Sequence, residues 1–278
     1  MIDIHTHILP ALCDGSQDLG TSLEMARIAV ADGTTHLACT PHIYPPLYQN
    51  HKAGITATRD ALQTELDKQN IPLHLIIGAD VHMMPEVMQG LKRGTIPTLN
   101  GSRYFLLEPS HHVPVLDFLG QIENFLNAGY VPVITHPERL HWFGDKYAEF
   151  IEAARMGAWL QITAGAITGV FGQVAKQHAE RLLREGYVHI IASDAHGIQQ
   201  RPPILSAGVQ AAATLLGDSE EAMRMVTERP QAILDNLPPD SITPPAALRQ
   251  MANNNLSAEA LTHINKQGKK SWLGRLFG

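Results

Sequence analysis

The chain has 278 residues, of which 44% are hydrophobic and 17% charged, so it can bury a large core and is not disordered along its whole length. Its formal net charge is −6, from 21 basic and 27 acidic side chains, and this balance disfavours a general nucleic-acid-binding protein. Two cysteines, Cys13 and Cys39, are too few for a disulfide framework. The 15 histidines outnumber phenylalanine and tyrosine together, and histidine is the commonest metal ligand in proteins.

The chain shows no segment that we interpret as a targeting signal or a membrane span. Residues 1–5 lack the basic and apolar regions of a secretory signal peptide. The longest uncharged run, residues 156–175, contains four glycines together with amides and hydroxyls, so we interpret it as a strand, a loop and the start of a helix. These features predict a cytoplasmic protein.

Short apolar runs of strand length alternate with longer amphipathic stretches along the chain. The runs lack the strict alternation of a strand with one exposed face, which favours strands buried on both faces in a parallel sheet. The predicted strands are residues 2–5, 37–40, 73–78, 104–108, 131–135, 158–163 and 188–193. The predicted helices are residues 19–31, 116–128, 147–156 and 174–185, and each stops at or near a glycine.

Seven strands that alternate with helices predict an α/β fold, and they favour a closed or nearly closed barrel. The alternative is a doubly wound open sheet, which usually carries a glycine-rich nucleotide-binding loop after its first strand. No such loop follows residues 2–5. We expect residues 1–245 to form the catalytic barrel, and residues 246–278, where the composition changes, to form a C-terminal extension.

Side chains that can bind metal ions follow six of the seven predicted strands. They are His5 and His7, His42, Asp80, Glu108, His136, and Asp194 with His196, and Asp14 joins them from the loop after the first strand. In a barrel the carboxyl ends of the strands converge on one face, where active sites of that fold lie. Mixed nitrogen and oxygen ligands suit Zn, Mn or Fe better than Mg. Nine ligands exceed the need of one ion, so we expect two or three, an arrangement typical of phosphoester hydrolysis.

The other ten histidines are weaker candidates. His111, His112 and His141 follow strands that bear predicted ligands and could line the cleft. The rest have no such placement, and we interpret them as structural: they are His36, His51, His74, His82, His178, His189 and His263.

The motifs and their order resemble the polymerase and histidinol phosphatase (PHP) family of metal-dependent phosphoesterases. The matching segments are residues 1–10, Asp14-Gly15, Thr40-Pro41-His42, His136-Pro137-Glu138-Arg139 and Ser193-Asp194-Ala195-His196. They are most similar to one branch, the bacterial tyrosine-protein phosphatases of capsule and exopolysaccharide clusters. The resemblance covers about residues 1–240 and does not include the tail after residue 246.

The resemblance implies a distorted barrel of seven β/α units and a three-metal centre, with Mn favoured and Fe, Zn, Co or Mg as alternatives. It implies that His5, His7 and Asp194 hold one ion, that Glu108 and His136 hold a second, and that Asp14, His42 and His196 hold the third. Asp80 would bridge the first two ions, at a place where the family usually has Glu, and Glu86 is the nearby substitute. Arg139 and Arg201 would bind phosphate, whose oxygens a guanidinium matches in a bidentate manner.

We therefore expect hydrolysis of phosphotyrosine by metal-activated water, on a protein such as the C-terminal tail of a membrane tyrosine kinase that controls capsule or exopolysaccharide synthesis. The alternatives are a small-molecule phosphatase of the histidinol phosphatase kind, an exonuclease, which the acidic charge disfavours, and a metal-binding regulator without turnover. A cysteine-based tyrosine phosphatase is disfavoured, because neither Cys13 nor Cys39 is followed by an arginine six residues later.

The end of the chain differs from the rest in charge. From Ala260 onward there are four basic residues and no acidic one, and the remaining residues carry a net charge of −10. Within residues 262–278, four large apolar side chains lie close to three basic ones: Trp272, Leu273, Leu276 and Phe277, with Lys269, Lys270 and Arg275. This pattern predicts either peripheral contact with the inner face of an anionic membrane or a flexible terminus.

Overall fold

The structure is a computed structural model that describes residues 1–252 and 254. Its strands are β1 (Ile2–Thr6), β2 (His36–Cys39), β3 (His42–Tyr44), β4 (Tyr48–Gln49), β5 (His74–Ile77), β6 (Asp80–His82), β7 (Tyr104–Glu108), β8 (Val131–Thr135), β9 (Trp159–Thr163) and β10 (Ile190–Ala192). Its helices include α1 (Leu19–Ala31), α2 (Lys52–Lys68), α3 (Val87–Arg93), α4 (Phe118–Asn127), α5 (Tyr147–Met156), α6 (Ala164–Thr168), α7 (Gly172–Arg184), α8 (Ser206–Leu216), α9 (Ser219–Arg224) and α10 (Glu228–Leu234). No helix among these residues is long and apolar enough to cross a membrane.

The strands form two sheets. The smaller has the order β1-β2-β5, and the larger has the order β10-β9-β8-β7-β6-β3-β4, with every pair parallel except β3 and β4. Backbone hydrogen bonds join the ends of β1 and β10: Asp194 N–H donates to the His5 carbonyl at 2.9 Å, and His7 N–H donates to the Ala195 carbonyl at 2.8 Å. The predicted α/β fold with parallel strands is confirmed, whereas the strands of the described residues form no closed barrel.

Two of the predicted strands are each followed by a short strand that was not predicted, and the breaks between them separate the sheets. The run at residues 37–40 corresponds to β2, and β3 follows it. The run at residues 73–78 corresponds to β5, and β6 follows it. Pro41 lies at the first break and has no N–H to donate to a ladder. Gly78 lies at the second, where a Cβ would come within 2.9 Å of the Leu99 and Thr40 side chains. After the breaks β3 and β6 pair with each other, which aligns His42 with Asp80.

The predicted helices all occur, with ends within two residues of the prediction. Residues 19–31 and 147–156 match α1 and α5, and the other two correspond to α4 and α7. Gly157 ends α5 with φ 117°, a conformation that residues with a side chain rarely adopt, and the chain then enters β9. At the end of α1, the Asp32 carboxylate accepts hydrogen bonds from the backbone N–H groups of Leu205 and Ser206 and thereby fixes the start of α8.

A buried ion pair ties the last described elements together at the amino end of β10. The side chain of Arg229, on α10, is fully buried, and its Nη2 donates to Glu221 Oε1 on α9 at 2.6 Å. Its Nε donates to the Thr243 carbonyl at 3.0 Å, and its Nη1 donates to the His189 carbonyl at 3.3 Å. Removing one partner of such a pair leaves an uncompensated charge in the interior.

The C-terminal extension is described only at its start. The Ala247 N–H donates to the Gly186 carbonyl at 3.1 Å, so this part of the chain contacts the loop after α7. The boundary after residue 245 stays a prediction, and the predicted amphipathic segment at residues 262–278 lies outside the described residues.

We predict that Arg229→Met lowers the free energy of unfolding by about 3–5 kcal/mol, because it leaves the Glu221 carboxylate buried without its partner. The matched control is Arg27→Met on α1, whose half-exposed side chain pairs with Glu24 and should contribute less than about 1 kcal/mol. Urea unfolding of both variants in the presence of a chelator measures the difference. Equal losses in the two variants would contradict the assignment.

Candidate metal centre

The nine predicted metal ligands come together at the carboxyl ends of the strands. Six of them line a cavity of about 410 Å³, together with both predicted arginines: Asp14, His42, Glu108, His136, Asp194 and His196, with Arg139 and Arg201. The other three, His5, His7 and Asp80, are fully buried against them. The arrangement follows from the fold, because parallel strands present their carboxyl ends at one edge and the side chains there face a common space.

His5, His7 and Asp194 form the most deeply buried group. His5 Nε2 lies 3.2 Å from Asp194 Oδ1, and His7 Nε2 lies 3.3 Å from the same oxygen. The two Nε2 atoms are 3.2 Å apart. Three ligand atoms therefore converge on one small volume, as the spacing of two residues between His5 at the end of β1 and His7 just after it predicts.

Asp14, His42 and His196 form a second group at the more exposed side of the cavity. Asp14 Oδ1 lies 3.6 Å from His42 Nε2 and 3.5 Å from His196 Nε2. His7 Nδ1 is 3.9 Å from the same oxygen, so His7 stands between the two groups. The four residues can offer ligand atoms that all lie within 4.8 Å of one another.

Glu108, at the end of β7, is surrounded by histidines. His136 Nε2 is 3.7 Å from Glu108 Oε1, and His111 Nε2 is 3.3 Å from the same oxygen. His82 Nδ1 lies 3.6 Å from Oε2. The structural interpretation of His82 therefore misses a neighbour of the site. The signal was present, because His82 follows Asp80 by two residues and points the same way on β6, a strand that the sequence did not predict.

Asp80 occupies a central place, and Glu86 does not. Asp80 Oδ2 lies 3.4 Å from His5 Nε2 and 3.4 Å from His42 Nδ1, so the carboxylate connects the first group to the second. Glu86 precedes α3 on the exposed surface and belongs to none of the groups that could hold an ion. The shorter side chain at residue 80 thus still reaches the other ligands, and its bridging role stays a prediction.

The donor atoms fit divalent cations. Among the described residues, four buried atoms of the cluster have no hydrogen-bond partner: His42 Nδ1, Asp80 Oδ2, His136 Nδ1 and Asp194 Oδ1. Buried polar atoms without partners are costly, and a cation would satisfy them. His196 Nδ1 donates to the Asp194 carbonyl at 2.9 Å, and His5 Nδ1 donates to Gln161 Oε1 at 2.9 Å. Nε2 of each ring therefore faces the cluster, which is the orientation of metal-binding histidines.

The charges of the cluster are set by burial and by neighbouring groups. Burial opposes ionisation of Asp194, but His5 and the two arginines hold its pKa well below the usual range. Burial, aided by the neighbouring imidazoles of His196 and His42, lowers the pKa of His7. Burial also lowers the pKa of His5, but Asp194 and Asp80 outweigh it and raise the pKa to about 9. Metal ions bind ionised carboxylates and neutral imidazoles, so an ion held by His5 would displace the proton of that ring.

Arg139 and Arg201 meet at one oxygen. The Nη1 of Arg139 and the Nη2 of Arg201 both donate to Asp194 Oδ2. Phe171, in the loop before α7, lies against both guanidinium groups, with its ring centre 4.3 Å from Cζ of Arg139 and 5.5 Å from Cζ of Arg201. The two cations are thus held at the wall of the cavity, where an anion could reach them.

Neither cysteine is placed as a nucleophile. Cys13 Sγ lies 3.2 Å from His7 Nδ1, and burial raises the pKa of its thiol to about 11. Cys39 is fully buried in β2, where burial raises its pKa further. A nucleophilic cysteine needs a lowered pKa and an electropositive setting, which these thiols lack.

Comparisons with known proteins agree with this chemistry. Residues 1–235 match the family model described as "Capsular polysaccharide synthesis, CpsB/CapC". The chain is 39% identical over 203 residues to the tyrosine-protein phosphatase YwqE of Bacillus subtilis, covering 72% of this chain and 79% of that protein. It is similar to a solved structure from work on YwqE of Bacillus subtilis and CpsB of Streptococcus pneumoniae, described as metal-dependent tyrosine phosphatases. That match has a TM-score of 0.79 and 34% identity, and it covers 85% of this chain and 95% of that one.

A more distant match bears on the fold alone. The structure of histidinol phosphate phosphatase from Lactococcus lactis matches with a TM-score of 0.52 and 13% identity, covering 78% of this chain and 94% of that one. At this identity the match shows a shared arrangement of strands and helices. It says nothing about the substrate of this chain.

We predict that Asp194→Asn and His42→Asn each lower the affinity for Mn²⁺ by about 10-fold or more, because each removes a donor from the cluster. His36 and His74 provide a matched control. They are the first residues of β2 and β5, at the ends of these strands that lie away from the cluster, and their rings are 5.1 Å apart. His36→Asn and His74→Asn should leave binding unchanged. Metal content after gel filtration and the rise in Tm with added Mn²⁺ measure the effect. Unchanged binding in Asp194→Asn would contradict the assignment.

Proposed function

The chain belongs to the capsular polysaccharide synthesis family CpsB/CapC, and we propose that it is a metal-dependent tyrosine-protein phosphatase. The observation that carries this proposal is the meeting of Arg139 and Arg201 at the edge of a buried cluster of histidines and carboxylates, inside an open cavity. The two guanidinium groups, which can bind phosphate, thus lie beside side chains that can bind divalent metal ions. Metal-dependent phosphoester hydrolysis uses both of these in one place.

We propose that the nine clustered side chains hold the ions in the sets that the resemblance implies. His5, His7 and Asp194 would hold one ion, Glu108 and His136 a second, and Asp14, His42 and His196 the third, with Asp80 as the bridge. Two or three divalent ions, Mn²⁺ first among them, fit this proposal. The chemistry that such ions supply when bound is activation of water at neutral pH and stabilisation of the charge on phosphate.

The two arginines have a separate task. Their guanidinium groups donate to Asp194 and are positioned by Phe171, so little reorganisation is needed when they turn to a phosphate. Each can offer two parallel N–H groups to two phosphate oxygens. Because their charge is fixed at all working pH values, they would stabilise the negative charge of the transition state as well as the bound ester.

The substrate in this proposal is the phosphotyrosine of a protein, and the tail of a membrane tyrosine kinase of capsule or exopolysaccharide synthesis is the partner that we favour. The family description and the phosphatase activity named for YwqE support it. We also propose that residues 1–245 are the catalytic unit, in the manner of an opened PHP barrel, and that residues 246–278 are an extension whose basic, apolar end is either a flexible terminus or a peripheral membrane contact.

We predict that the purified chain hydrolyses a phosphotyrosine peptide with Mn²⁺ and that a chelator abolishes the reaction. Turnover should exceed that of a phosphoserine peptide and of histidinol phosphate, measured as released phosphate. The double variant Cys13→Ser, Cys39→Ala should keep kcat within about threefold, because buried thiols of raised pKa are poor nucleophiles. Complete loss in the double variant, or preference for histidinol phosphate, would overturn the proposal.

We predict that Arg139→Met and Arg201→Met each lower kcat/KM for that peptide by about 100-fold or more, the usual cost of losing one donor to the transition state. Arg181→Met is the matched control, since Arg181 also lies over an aromatic ring, that of Tyr147, but on the exposed face of α7. It should change kcat/KM less than about twofold. Metal content must stay normal in all three variants for the comparison to count, and losses of equal size in all three would contradict the assignment.

A further inference from the structure

A second cavity opens beside the candidate active site, and none of the chemistry above uses it. Its volume is about 190 Å³, and its walls come from α6, the loop before α7, and the segment that leads into α8. Most of the lining is apolar, and it includes Val170, Phe171 and Ile204. An apolar protein cavity of about 150 Å³ is known to hold benzene, so this one has room for a single large side chain.

Arg201 connects this cavity to the cleft. It lines both, and its Nη2 donates to Asp194 inside the cleft. Its Nε is buried and has no hydrogen-bond partner among the described residues. Phe171 lies between the cleft and the second cavity: its ring contacts the guanidinium group of Arg201, and it also lines the second cavity. Whatever places a phosphate on Arg201 therefore brings the neighbouring groups of the same molecule to the mouth of this cavity.

The lining is open to water without a ligand. Val170 is 62% exposed and Ile204 is 38% exposed, although large apolar side chains usually seek burial. Isolated exposed apolar residues are common, but a concave apolar surface that adjoins a polar site is typical of a binding pocket. The polar groups of the lining come from four residues: Thr168, Ser193, Gln200 and Arg201.

We propose that this cavity binds the apolar side chain of a residue that flanks the phosphotyrosine in the substrate protein. An apolar side chain suits this lining, and a position next to the phosphotyrosine suits a cavity that shares Arg201 with the cleft. The inference rests on the proposed function and adds sequence selectivity to it. Leu, Ile, Met or Phe next to the phosphotyrosine would be selected over Gly or Ser.

The test is a set of phosphotyrosine peptides in a Gly/Ser background, with one Leu moved through the positions from two before to two after the phosphotyrosine. The wild-type chain with Mn²⁺ should show kcat/KM about 10-fold higher when Leu stands at one of these positions than in the background peptide, the factor expected when one apolar side chain enters a pocket. The gain should lie mainly in KM. Phenyl phosphate, which has no flanking residue, provides the reference substrate.

Two variants probe the cavity from opposite directions. Ala207→Phe fills it from α8, and Val170→Ser with Ile204→Ser makes its exposed wall polar. Each should remove the preference for Leu and change kcat/KM for phenyl phosphate less than about twofold. Ala61→Phe, an exposed alanine on α2, is the matched control and should keep the preference. Loss of the preference in both cavity variants but not in the control would support the proposal.

The remaining outcomes overturn it. Equal kcat/KM for all peptides would refute the pocket and leave the proposed function standing, whereas no hydrolysis of any phosphotyrosine peptide would refute both. An equal loss for phenyl phosphate in Ala207→Phe would mean that the cavity holds the ring of the phosphotyrosine itself. A change in molar mass by light scattering in the two cavity variants would mean that a second copy of the chain covers the surface.

Discussion

One buried carboxylate, that of Asp194, holds the site together. It is 1% exposed, and a carboxylate in such a place is stable only when other charges compensate it. Its backbone N–H binds the end of β1, its Oδ1 faces His5 and His7, and its Oδ2 accepts from Arg139 and Arg201. Segments that are far apart in the chain are thus positioned by a single charged group. Because β1 and β10 belong to different sheets, the same group also lies at the junction of the two.

The groups that balance the charge of Asp194 are also groups that the proposed reaction uses. The arginines neutralise Asp194 from the side of the cleft, so a phosphate that draws them away increases the demand for positive charge on the other side of the carboxylate. That side holds His7, whose pKa burial lowers, and His5, whose pKa burial also lowers but Asp194 and Asp80 raise to about 9, so His5 is the group that carries the positive charge there. The backbone is strained at the same place: Asp194 has φ 50° and His136 has φ 33°, conformations that cost about 1–3 kcal/mol each. Such strain persists only where many contacts fix the geometry.

The sequence was sufficient for the parts of this site that depend on local pattern. Seven buried strands are visible as apolar runs, and residues just after such runs must gather at one edge, so nine clustered side chains could be named. The division into two sheets was not predicted, and a closed or nearly closed barrel was expected instead, because the division depends on breaks at Pro41 and Gly78 and on pairing between distant strands. His82 was missed with the short strand β6 that carries it. Phe171 was missed because an aromatic residue in a loop has no periodic pattern, and its contact with two arginines exists only after folding.

The exposed apolar residues near the site lie on different elements from the predicted metal ligands. The ends of the strands carry the predicted metal ligands, whereas the loops around the active-site cleft and the second cavity carry large apolar side chains that face water. Leu47 in the hairpin of β3 and β4, Val113 before α4 and Val170 before α7 are each more than 60% exposed. A small phosphate ester bound at the arginines would leave these side chains in water. A protein that presents phosphotyrosine would cover them, and the gain from burying apolar area would then favour a macromolecular substrate over a metabolite at the same cluster of ligands.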